Sequence, residues 1–352
     1  MARVVLDMND RRPVWAIPDE TVEEIRRAVE GAGDGLRLVR VRSAADGSGD
    51  GVGGPSPEVL EAVEGARVYL GLGVHPGVLE AGAPTLQWVH TGTAGVSGSL
   101  TPQLRDSGVV FTNSAGIHGP PMAETVTGML LHFFRGLDFA LETAPRWAPD
   151  DFYRADTPVG ELGMATVGIV GYGGIGRHVA RCLRGFGTRV LGLRRRPVEP
   201  GPGGGAPTDE LGTELLSGPW GLDRLLAESD AVVLSVPDTP ATRGLMDARR
   251  LAQMRPGAVL VNVARGSVVE EEALVEALES GRLRGAALDV FNEEPLPEDH
   301  PFRMAPRTLI TPHVSGVSRG FWRRQTDLVL ENLARFRDGR PLRNQVDPGA
   351  GY

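Results

Sequence analysis

Apolar and β-branched residues gather in short runs along the first third of the chain, at residues 36–41, 57–63, 67–72, 86–90 and 109–113, with helical stretches between them. That rhythm predicts a parallel α/β sheet, because successive parallel strands need a crossover long enough to hold a helix. Residues 44–54, almost all glycine or small polar groups, cannot form a packed element and read as a surface loop. Met122, Val126, Met129, Leu130, Phe133, Leu137 and Leu141 then recur at helical spacing and predict one long connecting helix over 121–142. The proline-broken stretch that follows, around Trp147, reads as a segment wrapped over a neighbouring surface.

A second α/β series begins at Ala165, with strands predicted over 166–170, 189–193, 231–236, 258–263, 285–290 and 308–311. Helices are predicted over 175–186, 222–227 and 271–280, which makes a second doubly wound sheet. Residues 197–219, rich in Gly and Pro, read as an insertion after its second strand. A last helix over 321–337 lies beyond that sheet and is available to return to the first domain.

The length of 352 residues suits two domains of ordinary size, and 41% apolar with 23% charged residues is a globular profile. The net charge of −8 and the single short basic run, Arg194, Arg195 and Arg196, leave no electrostatic footprint for nucleic acid. All 37 basic residues are arginine, so chemistry that needs a lysine amine, such as Schiff-base formation or a P-loop, is excluded. The lone Cys182 cannot form an internal disulfide and is expected to pack in the interior. The N-terminal apolar run ends too soon for a signal peptide, and no run approaches the ~20 residues of a membrane span, so a cytoplasmic protein with no membrane partner is expected.

Gly171, Tyr172, Gly173, Gly174, Ile175 and Gly176 fit G-x-G-x-x-G between an apolar run and a helix with Val179, Ala180, Leu183 and Phe186 on one face. Gly171 would permit the tight turn, Gly173 the approach of a pyrophosphate, and Gly176 the contact of helix with strand. The end of the next strand selects the nicotinamide, since an acid there would bind the ribose and repel a 2′-phosphate. Arg194 stands at that position with Arg195 after it, and charged hydrogen bonds contribute roughly 1.5–3 kcal/mol each. NADP(H) is therefore expected over NAD.

Three separated segments carry further signals: residues 260–267 around Arg265, 287–297 around Asp289 and Glu294, and 309–316 around His313. With Val236, Pro237, Thr242 and Met254-Arg255-Pro256-Gly257, they resemble the D-isomer-specific 2-hydroxyacid dehydrogenases. The resemblance implies two doubly wound parallel-sheet domains: a Rossmann NAD(P)-binding domain, 118–313, inserted in a flavodoxin-like substrate domain, 1–117 with 314–352. It implies that Arg265 holds the carboxylate and carbonyl of a small 2-oxo acid, which suits a planar guanidinium fork. His313 would give the carbonyl oxygen a proton during hydride transfer and take it back in the reverse direction, with Glu294 orienting the ring. Cofactor contacts are implied from Val236, Pro237, Thr242, Val263, Ala264 and Asp289, besides the glycine turn.

In the first domain, residues 88–96 look like the family's substrate loop, with main-chain N–H groups of Thr93, Ala94 and Gly95 for the carboxylate. Ser97 stands where the family often has an acid. Residues 113–116 and 312–316 would act as hinges. The remaining histidines show no metal-ligand spacing, and no metal is assigned. The resemblance also implies a homodimer. The alternative is a dinucleotide-sensing binding protein of corepressor type, for which no basic or low-complexity segment is present.

Overall fold

The computed structural model describes residues 2–42, 54–144, 149–154, 156–157, 159–199 and 207–349. The expectations for residues 44–53 and Trp147 lie outside them. Two compact units divide the chain: Met1–His118 with Val317–Tyr352, and Gly119–Gly316.

In chain order the first part carries β1 (Ala2–Asp7), α1 (Asp19–Glu30), β2 (Leu36–Arg40), α2 (Pro57–Val63), β3 (Ala66–Gly71), α3 (Pro76–Gly82), β4 (Trp88–Thr91), α4 (Pro102–Asp106) and β5 (Val110–Thr112). The inserted unit carries α5 (Gly119–Phe134), α6 (Leu137–Thr143), β6 (Thr166–Val170), α7 (Gly174–Arg184), β7 (Arg189–Arg194), β8 (Glu214–Ser217) and α8 (Gly218–Glu228). It continues through β9 (Ala231–Leu234), α9 (Ala248–Gln253), β10 (Val259–Asn262), α10 (Glu271–Glu279), β11 (Gly285–Leu288) and β12 (Thr308–Ile310). Helix α11 (Phe321–Arg337) returns to the first unit.

The first sheet runs β2-β1-β3-β4-β5 and the second β12-β11-β10-β9-β6-β7-β8. Their strands pair in parallel. These are the flavodoxin-like order and the Rossmann order with one further strand. Strands β4, β9, β10 and β11 are buried at every residue, as sheets covered on both faces require. Alternation along β1 sends Val4 and Leu6 to a core with Ile25, Phe321 and Val329, and Val5 to a second core with Val63, Val78 and Val89. In the second unit, α5 and α7 cover one face through Val126, Leu130, Phe133, Val179 and Leu183, while α8 and α10 cover the other.

Three expectations need correction. The helix over 121–142 is two helices, because Gly136 adopts a left-handed φ of 63° between α5 and α6. Leu137 and Leu141 keep the helical spacing but are 49% and 71% exposed. The supposed insertion at 197–219 contains β8, which pairs in parallel with β7 from Leu191↔Glu214 to Arg194↔Ser217. Helix α7 stops at Arg184, and Phe186, placed by periodicity on the buried face, is exposed. Cys182 is partly buried against the α7 core. Among the described residues no helix is long and apolar enough to cross a membrane.

Candidate active site

In an open parallel sheet, ligands bind beyond the carboxyl ends of the strands where the order reverses, here between β6 and β9. The turn after β6 shows why glycines stand there. Gly171 has φ 101°, and a Cβ on it would lie 2.6 Å from the Ser235 carbonyl oxygen. A Cβ on Gly176 would lie 2.7 Å from the Gly171 oxygen. Gly173, by contrast, opens onto space, with no atom of the described residues beyond its own chain neighbours within 4 Å of its Cβ position, just before the first turn of α7. That open cradle at the start of an eleven-residue helix fits a dinucleotide pyrophosphate.

Tyr172 can serve this turn only through its main chain. The residue is 7% exposed, and its hydroxyl donates to Asp209 Oδ2 at 2.6 Å and lies 2.9 Å from Thr213 Oγ1. Burial, with the Asp209 bond, pushes the phenol above its usual pKa. Arg194 ends β7 partly buried, its Nε without a hydrogen-bond partner among the described residues, and Arg195 and Arg196 follow exposed. Beyond β9, Thr242 Oγ1 donates to the Pro237 oxygen at 2.6 Å and closes the loop that begins at Val236. Val263 and Ala264 are buried under the end of β10.

Arg265 leaves β10 through a turn built by Asn262, whose Oδ1 accepts the Ala264 N–H at 3.0 Å while its Nδ2 donates to the Arg265 oxygen at 3.0 Å. Asn262 is 1% exposed, and a polar residue inside the run 260–263 is the sequence signal that betrays it. Arg265 Nη1 donates to the Ala264 oxygen at 2.7 Å, and no acid pairs with this arginine among the described residues. Nearby Asp238 is held below the usual carboxylate range, chiefly by Arg243, with Ser267 and the Arg265 charge adding to the effect.

Glu294 and His313 meet directly. Glu294 Oε1 accepts the Phe291 N–H at 3.0 Å, and His313 Nδ1 donates to Glu294 Oε2 at 2.7 Å. The carboxylate therefore keeps a proton on Nδ1 and leaves Nε2, on a half-exposed ring, without a hydrogen-bond partner among the described residues. His313 sits at φ 53°, a conformation costly for any residue but glycine. Its N–H donates to the Asp289 oxygen at 2.8 Å and the Thr311 oxygen at 3.0 Å.

Asp289, expected among the cofactor contacts, is instead fully buried and spent on this loop. Its Oδ1 accepts Thr311 Oγ1 at 2.5 Å and the Val314 N–H at 2.9 Å, and its Oδ2 the Ser315 N–H at 3.0 Å. Motif position alone does not reveal that inward orientation.

In the first unit, the loop after β4 turns its carbonyls into the protein. The Thr93 oxygen accepts from Ser114 N at 2.9 Å, that of Ala94 from Asn113 Nδ2 at 2.8 Å, and that of Gly95 from Thr93 Oγ1 at 2.7 Å. The Thr93 N–H turns to Thr91 Oγ1 at 3.3 Å, while those of Ala94 and Gly95 have no partner among the described residues. Successive free amides of this kind suit an anion. Beneath the loop, buried His90 faces Thr112 Oγ1 at 2.8 Å, Ser114 Oγ at 3.1 Å and Gln325 Nε2 at 2.9 Å. Burial pulls its pKa down to about 3.

Sheet order and glycine turn together define a two-unit α/β protein that binds a dinucleotide. Residues 127–315 match the family described as D-isomer specific 2-hydroxyacid dehydrogenase, NAD binding domain, and the chain belongs to that family. It is 37% identical over 289 residues to glyoxylate/hydroxypyruvate reductase A of Klebsiella pneumoniae (strain 342), covering 79% of this chain and 86% of that one. It is similar in structure to a D-isomer specific 2-hydroxyacid dehydrogenase from Xanthobacter autotrophicus Py2 in complex with NADPH and MES, with TM-score 0.76, 30% identity and both chains covered in full. The NADPH-dependent glyoxylate/hydroxypyruvate reductase of Sinorhizobium meliloti, in complex with NADP and sulfate, matches with TM-score 0.72 and 30% identity, again over both full chains.

Proposed function

We propose that this chain is an NADP(H)-preferring reductase that converts a small 2-oxo acid to its D-2-hydroxy acid. The observation that carries the reading is the 2.7 Å bond from His313 Nδ1 to Glu294, beyond the strands of the sheet whose first turn carries the glycine cradle. A reduced nicotinamide dinucleotide held by the Gly171–Gly176 turn would supply the hydride for C2. Nε2 of His313 gives its proton to the carbonyl oxygen as it becomes a hydroxyl, and Glu294 stabilises the ring while it is charged. Arg265, with no acid competing for its fork among the described residues, takes the carboxylate and carbonyl oxygens. The amides of Ala94 and Gly95, with Thr93 shaping their turn, add hydrogen bonds to the carboxylate.

Arg194, with Arg195 beside it, binds the 2′-phosphate, and the NADPH-dependent reductase of similar structure supports that preference. NAD would fit the same cradle without that contact. Glyoxylate and hydroxypyruvate are the first substrates to try, given the reductases this chain resembles. In this reading residues 1–117 with 314–352 serve the substrate, and 118–313 the dinucleotide. A cytoplasmic homodimer is the proposed working form, and exposed Leu137 and Leu141 support a partner on α6.

The test is a turnover assay with NADPH or NADH against glyoxylate, hydroxypyruvate and phenylpyruvate, with His313→Gln alongside. The expected result is oxidation of NADPH by at least one acid, lost in the variant by about 10²–10⁴-fold while NADPH binding by calorimetry persists. Equal turnover by the variant overturns the proposal.

A further inference from the structure

Glu294 is useful only if its loop holds the carboxylate at the imidazole, and that loop is itself gripped from below. Glu271, the first residue of α10, is partly buried and splits its two oxygens between the ends of one loop segment. Oε1 accepts the Asn292 N–H at 2.9 Å, and Oε2 lies 3.4 Å from His300 Nε2. The side chains of Glu271 and His300 are only 14% and 16% exposed.

His300 Nδ1 accepts the Phe302 N–H at 3.3 Å, so a neutral ring carries its proton on Nε2, facing the carboxylate. Arg303 draws in the same segment, donating to the Pro297 and Leu296 oxygens at 2.7 and 2.8 Å. Glu294 lies inside this closed span, two residues beyond Asn292. The helix does not need Glu271 turned inward, because exposed Glu272 supplies the same favourable charge to its first turn. The strut also starts six residues after Arg265, where Gly266 is pressed so closely on the Phe291–Asn292 peptide that a Cβ would lie 2.0 Å from Phe291 C. One carboxylate thus ties the Arg265 segment to both ends of the Glu294 loop.

We propose that Glu271 and His300 form a clasp that positions Glu294 against His313, a role that for turnover rests on the reductase reading above. Two variants separate the clasp from simple folding. In His300→Asn the shorter side chain still caps the Phe302 N–H, since asparagine is a favoured N-cap, but no longer reaches Glu271. In Glu271→Gln the amide can still accept from Asn292 while its NH2 opposes the His300 Nε2 proton.

The primary readout is the Nδ1 proton resonance of His313 in 15N-histidine-labelled protein, assigned by its change in Glu294→Gln. Both clasp variants are expected to shift or broaden it. They should also lower kcat with NADPH by roughly ten- to hundredfold, within the ~10²–10⁴-fold that placed acid–base groups contribute, while KM for NADPH holds. An unchanged resonance in both variants overturns the clasp, even if the melting temperature falls. A changed resonance with unchanged kcat upholds the clasp and overturns the role of the Glu294–His313 pair in turnover.

Discussion

Asp289 accepts the main-chain N–H of His313 on its carbonyl oxygen at 2.8 Å, and takes the next two amides on its carboxylate at 2.9 and 3.0 Å. These bonds offset the ~1–3 kcal/mol cost of a left-handed histidine. Asp289→Asn turns one acceptor into a donor that faces buried N–H groups. Its inserted unit is expected to lose about 1–3 kcal/mol in urea unfolding, with turnover at least roughly tenfold lower. Wild-type values for both would remove Asp289 from the histidine's support.

The proposed preference for NADP(H) rests on Arg194. Arg194→Ala should raise the KM for NADPH roughly ten- to hundredfold, the equivalent of ~1.5–3 kcal/mol, and change the NADH value little. Steady-state kinetics with both nucleotides decide it, since equal losses would show that the arginine does not read the phosphate.

His90 gives the first unit a dependence on pH. Burial lowers its pKa to about 3, so the folded protein keeps the ring neutral where an unfolded chain, with a pKa near ~6.5, would protonate it. The depressed value makes this contribution complete above about pH 6.5 and progressively smaller as pH falls toward 3, by at most ~1.4 kcal/mol per unit. Urea midpoints taken between about pH 7 and pH 4 should fall, and His90→Gln should flatten the slope.

Two glycines should respond in opposite directions to alanine. Gly266→Ala places a Cβ 2.0 Å from Phe291 C, so Arg265 and the Glu294 loop must part. A loss of about 1–3 kcal/mol or more is expected, together with most of the turnover. Gly128, exposed within α5 with nothing near its Cβ position, should gain about 0.5–1 kcal/mol as alanine. Thermal and urea unfolding of the pair checks both signs.

The parallel sheets and the G-x-G-x-x-G turn were legible because periodicity and glycine placement report backbone geometry directly. Arg265, Glu294 and His313 were legible as candidates because each follows a strand of the same sheet, and the Glu294–His313 contact is now visible. Side-chain direction was not legible. Nothing in the motif says that Tyr172 turns under Gly192 or that Asp289 points inward, because both depend on partners far along the chain. Strand β8 escaped notice because Glu214–Ser217 is four residues long and sits beside a Gly/Pro-rich stretch. The break at Gly136 escaped because apolar spacing continues past it, and a left-handed glycine leaves no trace in periodicity.

The placement of α11 bears on synthesis at the ribosome. Its Phe321, Val329 and Leu333 complete the core that β1 and α1 begin, so those two elements stay without this covering helix until the whole Gly119–Gly316 unit has been made. The continuous Gly119–Gly316 unit is made in full before α11 begins, and at ~5–20 residues per second it precedes the end of that helix at Arg337 by about 1–4 seconds. A nascent chain halted before residue 321 should therefore carry a mature nucleotide fold beside an unfinished N-terminal one.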